Sequence, residues 1–146
     1  IGSNKGDRRL NLSRAMRGVG HEFGLFEMSH AIESEPWGFE SNARFLNVGI
    51  MFQTDLQPLE VLDILQGIEK SISPDSHRDS KGNYIDRVID IDIVAIDEQV
   101  IDDERLKVPH PCLAERRFFL EPMNEIAPDW RHPVTGKNAA EMLAEL

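Results

Sequence analysis

Apolar and polar positions recur along this 146-residue chain with two different periods. Leu12, Ala15, Met16 and Val19 follow helical spacing, and Asp7 stands ahead of them as an N-cap. A first helix is therefore expected over "RRLNLSRAMRGVG", weakened at its end by Gly18 and Gly20. A clearer helix is expected over "LQPLEVLDILQGIEKSI", where Leu59, Leu62, Leu65 and Ile68 share a face and Pro58 suits the first turn. "LFEMSHAIES" and "RFLNVGIMFQT" read as strands flanking the loop "SEPWGFES" with Pro36 and Gly38. "IGSNKGD" reads as a strand end and a turn, so the first strand is expected to begin upstream of Ile1. "SPDSHRDSKGNY" is polar and reads as a mobile loop. "RVIDIDIVAID" reads as a further strand, and "EQVIDDERLKVPHP" as a short extension turning into Pro109 and Pro111. "LAERRFFLEPMNEIAP" starts as a helix and is expected to break at Pro122 and Pro128. "NAAEMLAEL" closes the chain as a helix capped by Asn138. The order β-α-β-β-α-β predicts an α+β fold: a ferredoxin-like antiparallel sheet with helices packed on it and a mixed C-terminal tail. One domain over residues 1–146 is the natural expectation for this length.

The strand "RVIDIDIVAID" carries an unusual polar face. Ile89, Ile91 and Ile93 lie on one side and Asp90 and Asp92 on the other, because successive strand side chains alternate. Two carboxylates side by side repel. A solvated outer face accommodates them; so does a divalent cation, since magnesium takes one or two carboxylates and shares substrate phosphates.

Composition narrows the choice. The chain is 40% hydrophobic and 29% charged, ordinary for a globular protein. A net charge of −10 argues against a nucleic-acid or membrane surface. No apolar run is long enough to cross a bilayer, and no signal peptide is visible. The single cysteine, Cys112, rules out an internal disulfide and fits a reducing cytoplasm. Nothing in the sequence indicates a protein partner. Against the acidic background stands a basic stretch: Arg78, Lys81, Arg87, Arg105, Lys107, Arg116 and Arg117. Arginine offers planar bidentate donors, so this stretch is a candidate polyphosphate cradle; solubility charges paired with Asp and Glu explain it equally well. His110, between two prolines, suits either a phosphate-facing imidazole or a packed structural one. A P-loop and paired zinc ligands are both missing from the sequence.

Read together, "IGSNKGD", "SEPWG", "FLN" at Phe45–Asn47, "IE" ending at Glu69, "RVIDIDI", "ERLKVPHP", "RRFFLEP" and "EIAPDWRHP" resemble the 6-hydroxymethyl-7,8-dihydropterin pyrophosphokinase family, in order and over nearly the whole chain. R-x-x-D-x-D followed at this distance by VPHP is the specific part. The resemblance implies transfer of an intact pyrophosphoryl group from ATP to the pterin hydroxymethyl group, with AMP leaving. It also implies two magnesium ions with bound ATP, and a ferredoxin-like fold. Asp90 and Asp92 match the metal pair. Phe45 and Phe118 match the aromatic pair around the pterin ring, and Asn47 the amide that reads its polar edge. Ser34, Glu35 and Trp37 match a loop with backbone contacts to the pterin. Gln66 and Glu69 match site-facing positions on the second helix. Arg87 and Arg116 match arginines on the pyrophosphoryl chain, and Arg105 and His110 match nucleotide-side positions.

The chain departs from the family between Ser73 and Arg87. The usual loop carries G-R-x-R and then W-G-P-R; here the stretch is "SPDSHRDSKGNYIDR". Arg87 survives from the second element, and Tyr84 stands for its Trp. Either Arg78 or His77 fills the first element, in a loop expected to close over substrate. Two other readings share part of these features. A different metal-dependent phosphoryl-transfer enzyme needs Asp90 and Asp92 but no pterin slot. A regulatory ligand-binding module needs no metal pair beside arginines.

Overall fold

The computed structural model describes residues 1–35, 43–73 and 86–146. Trp37, His77, Arg78, Tyr84 and the expected closing loop lie outside the described residues. The chain is mixed α and β. Its elements are β1 (Gly2–Ser3), α1 (Arg8–Phe23), β2 (Phe26–Met28), β3 (Ile32–Ser34), β4 (Phe45–Asn47), β5 (Ile50–Phe52), α2 (Pro58–Ile72), β6 (Ile101–Asp102), β7 (Lys107–Val108), α3 (Arg117–Ile126) and α4 (Ala139–Ala144). A 3₁₀ turn over Leu113–Glu115 precedes α3. Among the described residues no helix is long and apolar enough to cross a membrane.

Both long helices begin where their capping chemistry puts them. The Asp7 carboxylate accepts from the Leu10 N–H at 3.1 Å. Helix α2 opens on a Gln57–Glu60 capping box with Pro58 in its first turn. The glycines near the end of α1 do not stop it. It runs on to Phe23, whose ring stacks on Phe52 at 4.3 Å, and ends at Gly24 with φ 83°. Tertiary packing outweighs the local cost of Gly18 and Gly20.

The two expected middle strands form and pair antiparallel with each other, but each is cut in two. Phe26 pairs with Phe52 and Met28 with Ile50, whereas Ile32 pairs with Asn47 and Ser34 with Phe45. The register slips by one residue between the two ladders. His30 and Ala31 thus face Val48 alone, which is a β-bulge. Its chemistry is local: Ser29 N–H donates to the Gly49 carbonyl at 2.9 Å, and the Ser29 hydroxyl accepts from the Gly49 N–H at 2.8 Å. Across the sheet β4 also pairs with β1, giving the order β1-β4-β3, all antiparallel. Beyond this, β2-β5 and β6-β7 form separate two-stranded sheets. The expected strand over "RVIDIDIVAID" is regular only at one bridge, Gly2 with Asp90. Two hydrogen bonds make it, Gly2 N–H to Asp90 O and Asp90 N–H to Gly2 O, each 2.8 Å.

The pairing sorts side chains onto two faces. Leu46, Val48, Ile89 and Ile91 go to the back, where they join Leu12, Ala15 and Val19 of α1 and Val61, Leu65 and Ile68 of α2 in one core. Ser34, Phe45, Asn47, Gly2 and Asp90 are cross-strand neighbours on the front. In front of them α3 and α4 build a second core from Leu113, Phe119, Leu120, Ala139 and Met142. Helix α4 is capped as expected, the Asn138 side chain accepting from Glu141 N–H at 2.9 Å.

Pro122 does not break α3; it sits inside the helix and is buried. The helix gives up one backbone bond there. In return the proline packs against Gly49, where any Cβ would lie 2.6 Å from the Pro122 Cβ. Pro128 does lie beyond the end of α3, as expected. Glu125, near that end, accepts from the His30 N–H through both carboxylate oxygens, at 3.1 and 3.0 Å, so the bulge also braces α3.

Gly49→Ala is expected to lower stability by about 1–3 kcal/mol, the cost of forcing a methyl into a packed contact. The urea midpoint at unchanged m-value measures it. A loss within experimental error would show that Pro122 does not bear on Gly49.

Candidate active site

A cavity of about 1180 Å3 lies between the front of the sheet, α2 and α3. Ser34, Glu35, Phe45, Asn47, Gln66, Glu69, Arg87, Asp90, Asp92, Arg105, His110, Arg116 and Phe118 all line it. Every sequence-predicted site residue within the described residues is therefore on one wall or another. The cavity also runs along Phe52–Leu56 and Val94–Asp97, a stretch not anticipated from the sequence.

The sheet supplies one end. Phe45 and Asn47 are two apart on β4 and project from the same face, across from Gly2 and Ser34. Asn47 Nδ2 donates to Ser34 Oγ at 2.8 Å, which fixes the amide orientation. The amide oxygen lies over Gly2, where an added Cβ would be 2.8 Å from Asn47 Oδ1 and 3.3 Å from the Phe45 ring. Only a residue without a side chain leaves both groups in place. Phe118, in the first turn of α3, meets Phe119 edge-on at 4.8 Å, and the Arg116 guanidinium lies 5.5 Å from its ring centroid.

The acidic end is crowded. Asp90 and Asp92 project from alternate positions, as the sequence pattern requires. Arg87 Nη1 pairs with Asp90 Oδ2 at 2.5 Å, both side chains being mostly buried. The Asp90 backbone points to Gly2, so the next amide, Ile91 N–H, points away from β1, and Glu69 of α2 accepts it. Burial, with the charge of Asp90 as the next cause, pushes the Glu69 carboxyl up to about 8. The same two causes push Asp92 up to about 6, against the pull of Arg87 and Arg116. Asp92 is exposed on the cavity wall.

Among the described residues no cluster of three or more His, Cys, Asp or Glu side chains could hold a metal. Asp90 and Asp92 nonetheless form an oxygen-donor pair in a strained electrostatic setting. Such a pair fits magnesium, which takes one or two carboxylates and completes its shell with water and phosphate; it does not fit zinc.

The third side is the basic one. His110 Nδ1 accepts from the Cys112 N–H at 3.1 Å. Burial, then the charge of Arg116, lowers the His110 pKa, so the neutral ring carries its proton on Nε2. His110 also packs on Phe119, centroids 4.8 Å apart, so the packed and the cavity-facing readings hold together. Cys112 is half-buried on the cavity wall. Arg105 is held by Asp63 through Nη2, which also donates to Gln66 Oε1 at 3.4 Å. Lys107, also on the cavity wall, pairs with Asp102, while Arg117 pairs with Glu121 and does not line the cavity.

Sequence reasoning missed Asp63 and Asn4. Asp63 sits three residues before Gln66 on α2, a spacing that places both on one face. Asn4 was one polar residue in a turn; nothing local marks its partners.

A sequence model of the 7,8-dihydro-6-hydroxymethylpterin-pyrophosphokinase family matches residues 1–128. The 2-amino-4-hydroxy-6-hydroxymethyldihydropteridine pyrophosphokinase of Aquifex aeolicus is 36% identical over 145 residues, 99% of this chain and 88% of that protein. The protein of the same description from Porphyromonas gingivalis is 39% identical over 136 residues, covering 91% of this chain and 90% of that one. That from Bacillus subtilis is 35% identical over 129 residues, 86% and 74% of the two chains.

The raised carboxyls set a pH dependence. Glu69 binds its proton more tightly folded (to about 8) than at its ordinary 4.5, so raising pH through this window ionises the unfolded chain first and lowers stability. His110, lowered from 6.5, acts the opposite way only below that pH. Between pH 6.5 and 8 the Glu69 contribution, read as the urea midpoint of metal-free protein minus that of Glu69→Gln, is expected to fall as pH rises; the Ile1 amino group, lowered from 8.0 by burial, acts the opposite way in both proteins and is removed by the difference. A difference that rises over this window would contradict the assignment.

Proposed function

The chain belongs to the 7,8-dihydro-6-hydroxymethylpterin-pyrophosphokinase family, and on that footing we propose how its cavity divides between two substrates. The protein is a diphosphokinase: it transfers pyrophosphate from ATP to the hydroxymethyl group of hydroxymethyldihydropterin, a reaction of folate biosynthesis. The hydroxymethyl oxygen bonds to the β-phosphorus of ATP, the bond to the α-phosphate oxygen breaks, and AMP leaves.

The pterin enters at the sheet end. Phe45 and Phe118 flank the flat ring, and Asn47 reads its polar edge with an amide oriented by Ser34. Glu35, just after β3, also lines this end. ATP lies along the opposite wall, with Arg105, Gln66 and the Nε2–H of His110 toward the nucleotide and Arg87 and Arg116 toward the transferring group. Glu69, uncharged at neutral pH while the site is empty of cations, limits the repulsion around Asp90 and Asp92. Arg78 or His77, outside the described residues, is the candidate for the family's first loop arginine position. Asp90 and Asp92 would hold two magnesium ions, which would supply charge neutralisation to the phosphate oxygens. No strong base is needed, because transfer of this kind depends mainly on alignment and charge stabilisation. Residues 1–146 act as one domain in the cytoplasm, with no protein partner called for.

The observation that carries this reading is that one cavity is lined by a carboxylate pair, an aromatic pair with an oriented amide, and several cationic donors. A phosphohydrolase would need the first without the second. We also read the sheets as pieces of one ferredoxin-like βαββαβ sheet. The Gly2–Asp90 bridge supports it, since it adds residues 87–90 beside β1 and extends the antiparallel order to 87–90, β1, β4, β3.

Asp90→Asn and Asp92→Asn are each expected to abolish most magnesium-dependent AMP release while circular dichroism stays native. The isoleucines behind them still anchor the strand. Turnover near wild type in both variants would remove the metal assignment.

Phe118→Ala should weaken pterin binding more than tenfold and ATP binding little. The stacking term alone is worth about 0.5–1.5 kcal/mol, and lost apolar burial adds to it. Calorimetric titration of each ligand separates the cases. Equal losses for both would make Phe118 a packing residue for α3.

A further inference from the structure

One buried side chain joins the start of the chain to the start of the acidic segment. Asn4 is 3% exposed. Its Nδ2 donates to the Ala43 carbonyl at 3.1 Å and to Asp86 Oδ1 at 2.8 Å. Its Oδ1 accepts from the Arg87 backbone N–H at 2.6 Å, and its own N–H donates to the Arg87 carbonyl at 3.0 Å. Both ends of the amide are used, and in one orientation only. Turned over, the NH2 would face the Arg87 N–H and the oxygen would face two acceptors.

This clamp acts on the residue that matters next. Both backbone polar groups of Arg87 are held by Asn4, and the guanidinium then meets Asp90 Oδ2 at 2.5 Å with 13% of the side chain exposed. Ser3 and Asn11 support the clamp from beneath, Asn11 Nδ2 donating to Ser3 Oγ at 3.2 Å and to the Lys5 carbonyl at 2.9 Å. The turn carrying Asn4 is therefore tied to α1 on one side and to Arg87 on the other.

We propose that Asn4, through its bond to the Asp86 carboxylate, is a positioning residue for the pyrophosphoryl transfer. It fixes the backbone at Asp86–Arg87 and so the direction from which the Arg87 guanidinium reaches the transferring group. The proposal rests on the reading of Arg87 as a pyrophosphoryl-chain arginine.

The Asn4–Asp86 bond has a direction, and the direction can be reversed. Asn4→Asp keeps the acceptor for the Arg87 N–H but sets oxygen against the Asp86 and Ala43 oxygens. In Asn4→Asp/Asp86→Asn the amide at 86 donates and the carboxylate at 4 accepts. Asp86→Asn alone keeps an acceptor oxygen for Asn4 Nδ2 once its amide turns. Steady-state kinetics, ATP binding and thermal melts of these three variants and of Arg87→Ala, each on folded protein, form the test.

Arg87→Ala and Asn4→Asp are each expected to lower kcat by about tenfold or more with the Kd for ATP changed less than about threefold. Asp86→Asn should stay within about threefold of wild type, and the double variant should recover part of the lost kcat, since only the Ala43 carbonyl then still opposes the carboxylate at position 4. If Asn4→Asp does not fold, Asn4→Ser carries the same expectation, since serine cannot span the three partners. Unchanged kcat in folded Asn4→Asp or Asn4→Ser overturns the proposal. Recovery of melting temperature without kcat in the double variant also overturns it, because the clamp is then structural only. If Arg87→Ala itself keeps full kcat, the reading of Arg87 fails and Asn4 has nothing to position. A low kcat in Arg87→Ala beside a normal one in the Asn4 variants fails the clamp alone.

Discussion

Two backbone hydrogen bonds between Gly2 and Asp90 hold the functional half of the molecule to the scaffold half. They put the acidic segment beside β1, and β1 in turn pairs with β4. Everything on the front face follows from that register. Gly2 faces Asn47 on one side and Asp90 on the other, so the amide of one end of the cavity and the carboxylate of the other are separated by a single strand. Shifting the pairing by one residue would turn Asp90 and Asp92 into the core and Ile89 and Ile91 out of it. The completely buried Ile89 and nearly buried Ile91 are what make that shift costly.

The same arrangement concentrates unfavourable electrostatics at the acidic end of the cavity. Asp90, Asp92 and Glu69 share a small volume, and burial and mutual repulsion raise Glu69 and Asp92 well above the ordinary carboxylate range. Arg87 and Arg116 offset part of this. Carboxyls shifted this far cluster at functional sites more than in scaffolds. The expense is carried by the two cores behind and in front of the sheet, which share no member. The His30–Glu125 bond and the Gly49–Pro122 contact hold the front layer, with Phe118 and Arg116, at a set distance from β4.

The residues singled out from the sequence that line the cavity were legible because they sit in motifs whose order and spacing resemble a known family. The two long helices and their caps were legible for a more elementary reason: capping and the 3.6-residue period act within a few positions of the chain. Errors arose where packing overrode a local rule. Gly18 and Gly20 do not end α1 because Val19 and Phe23 are held by the core beyond them. Pro122 does not break α3 because Gly49 gives its ring a place to pack. The middle strands are split by a bulge that the alternation of apolar residues does not reveal, since its cause is a hydroxyl of Ser29 reaching Gly49 across the sheet.

By itself the sequence determined which faces are apolar, where the helices start, that Asp90 and Asp92 point the same way, and which family the motifs resemble. These are consequences of local periodicity and of residue types at short spacing. Which distant groups meet was decided only by the tertiary structure. Asn4 and Arg87 are 83 residues apart, His30 and Glu125 are 95 apart, and Arg105 finds Asp63 across 42. No short-range pattern encodes such pairs, because closing a loop of that length is settled by the sum of the packing on both sides of the sheet, and the hydrogen bonds form where that packing brings donor and acceptor together.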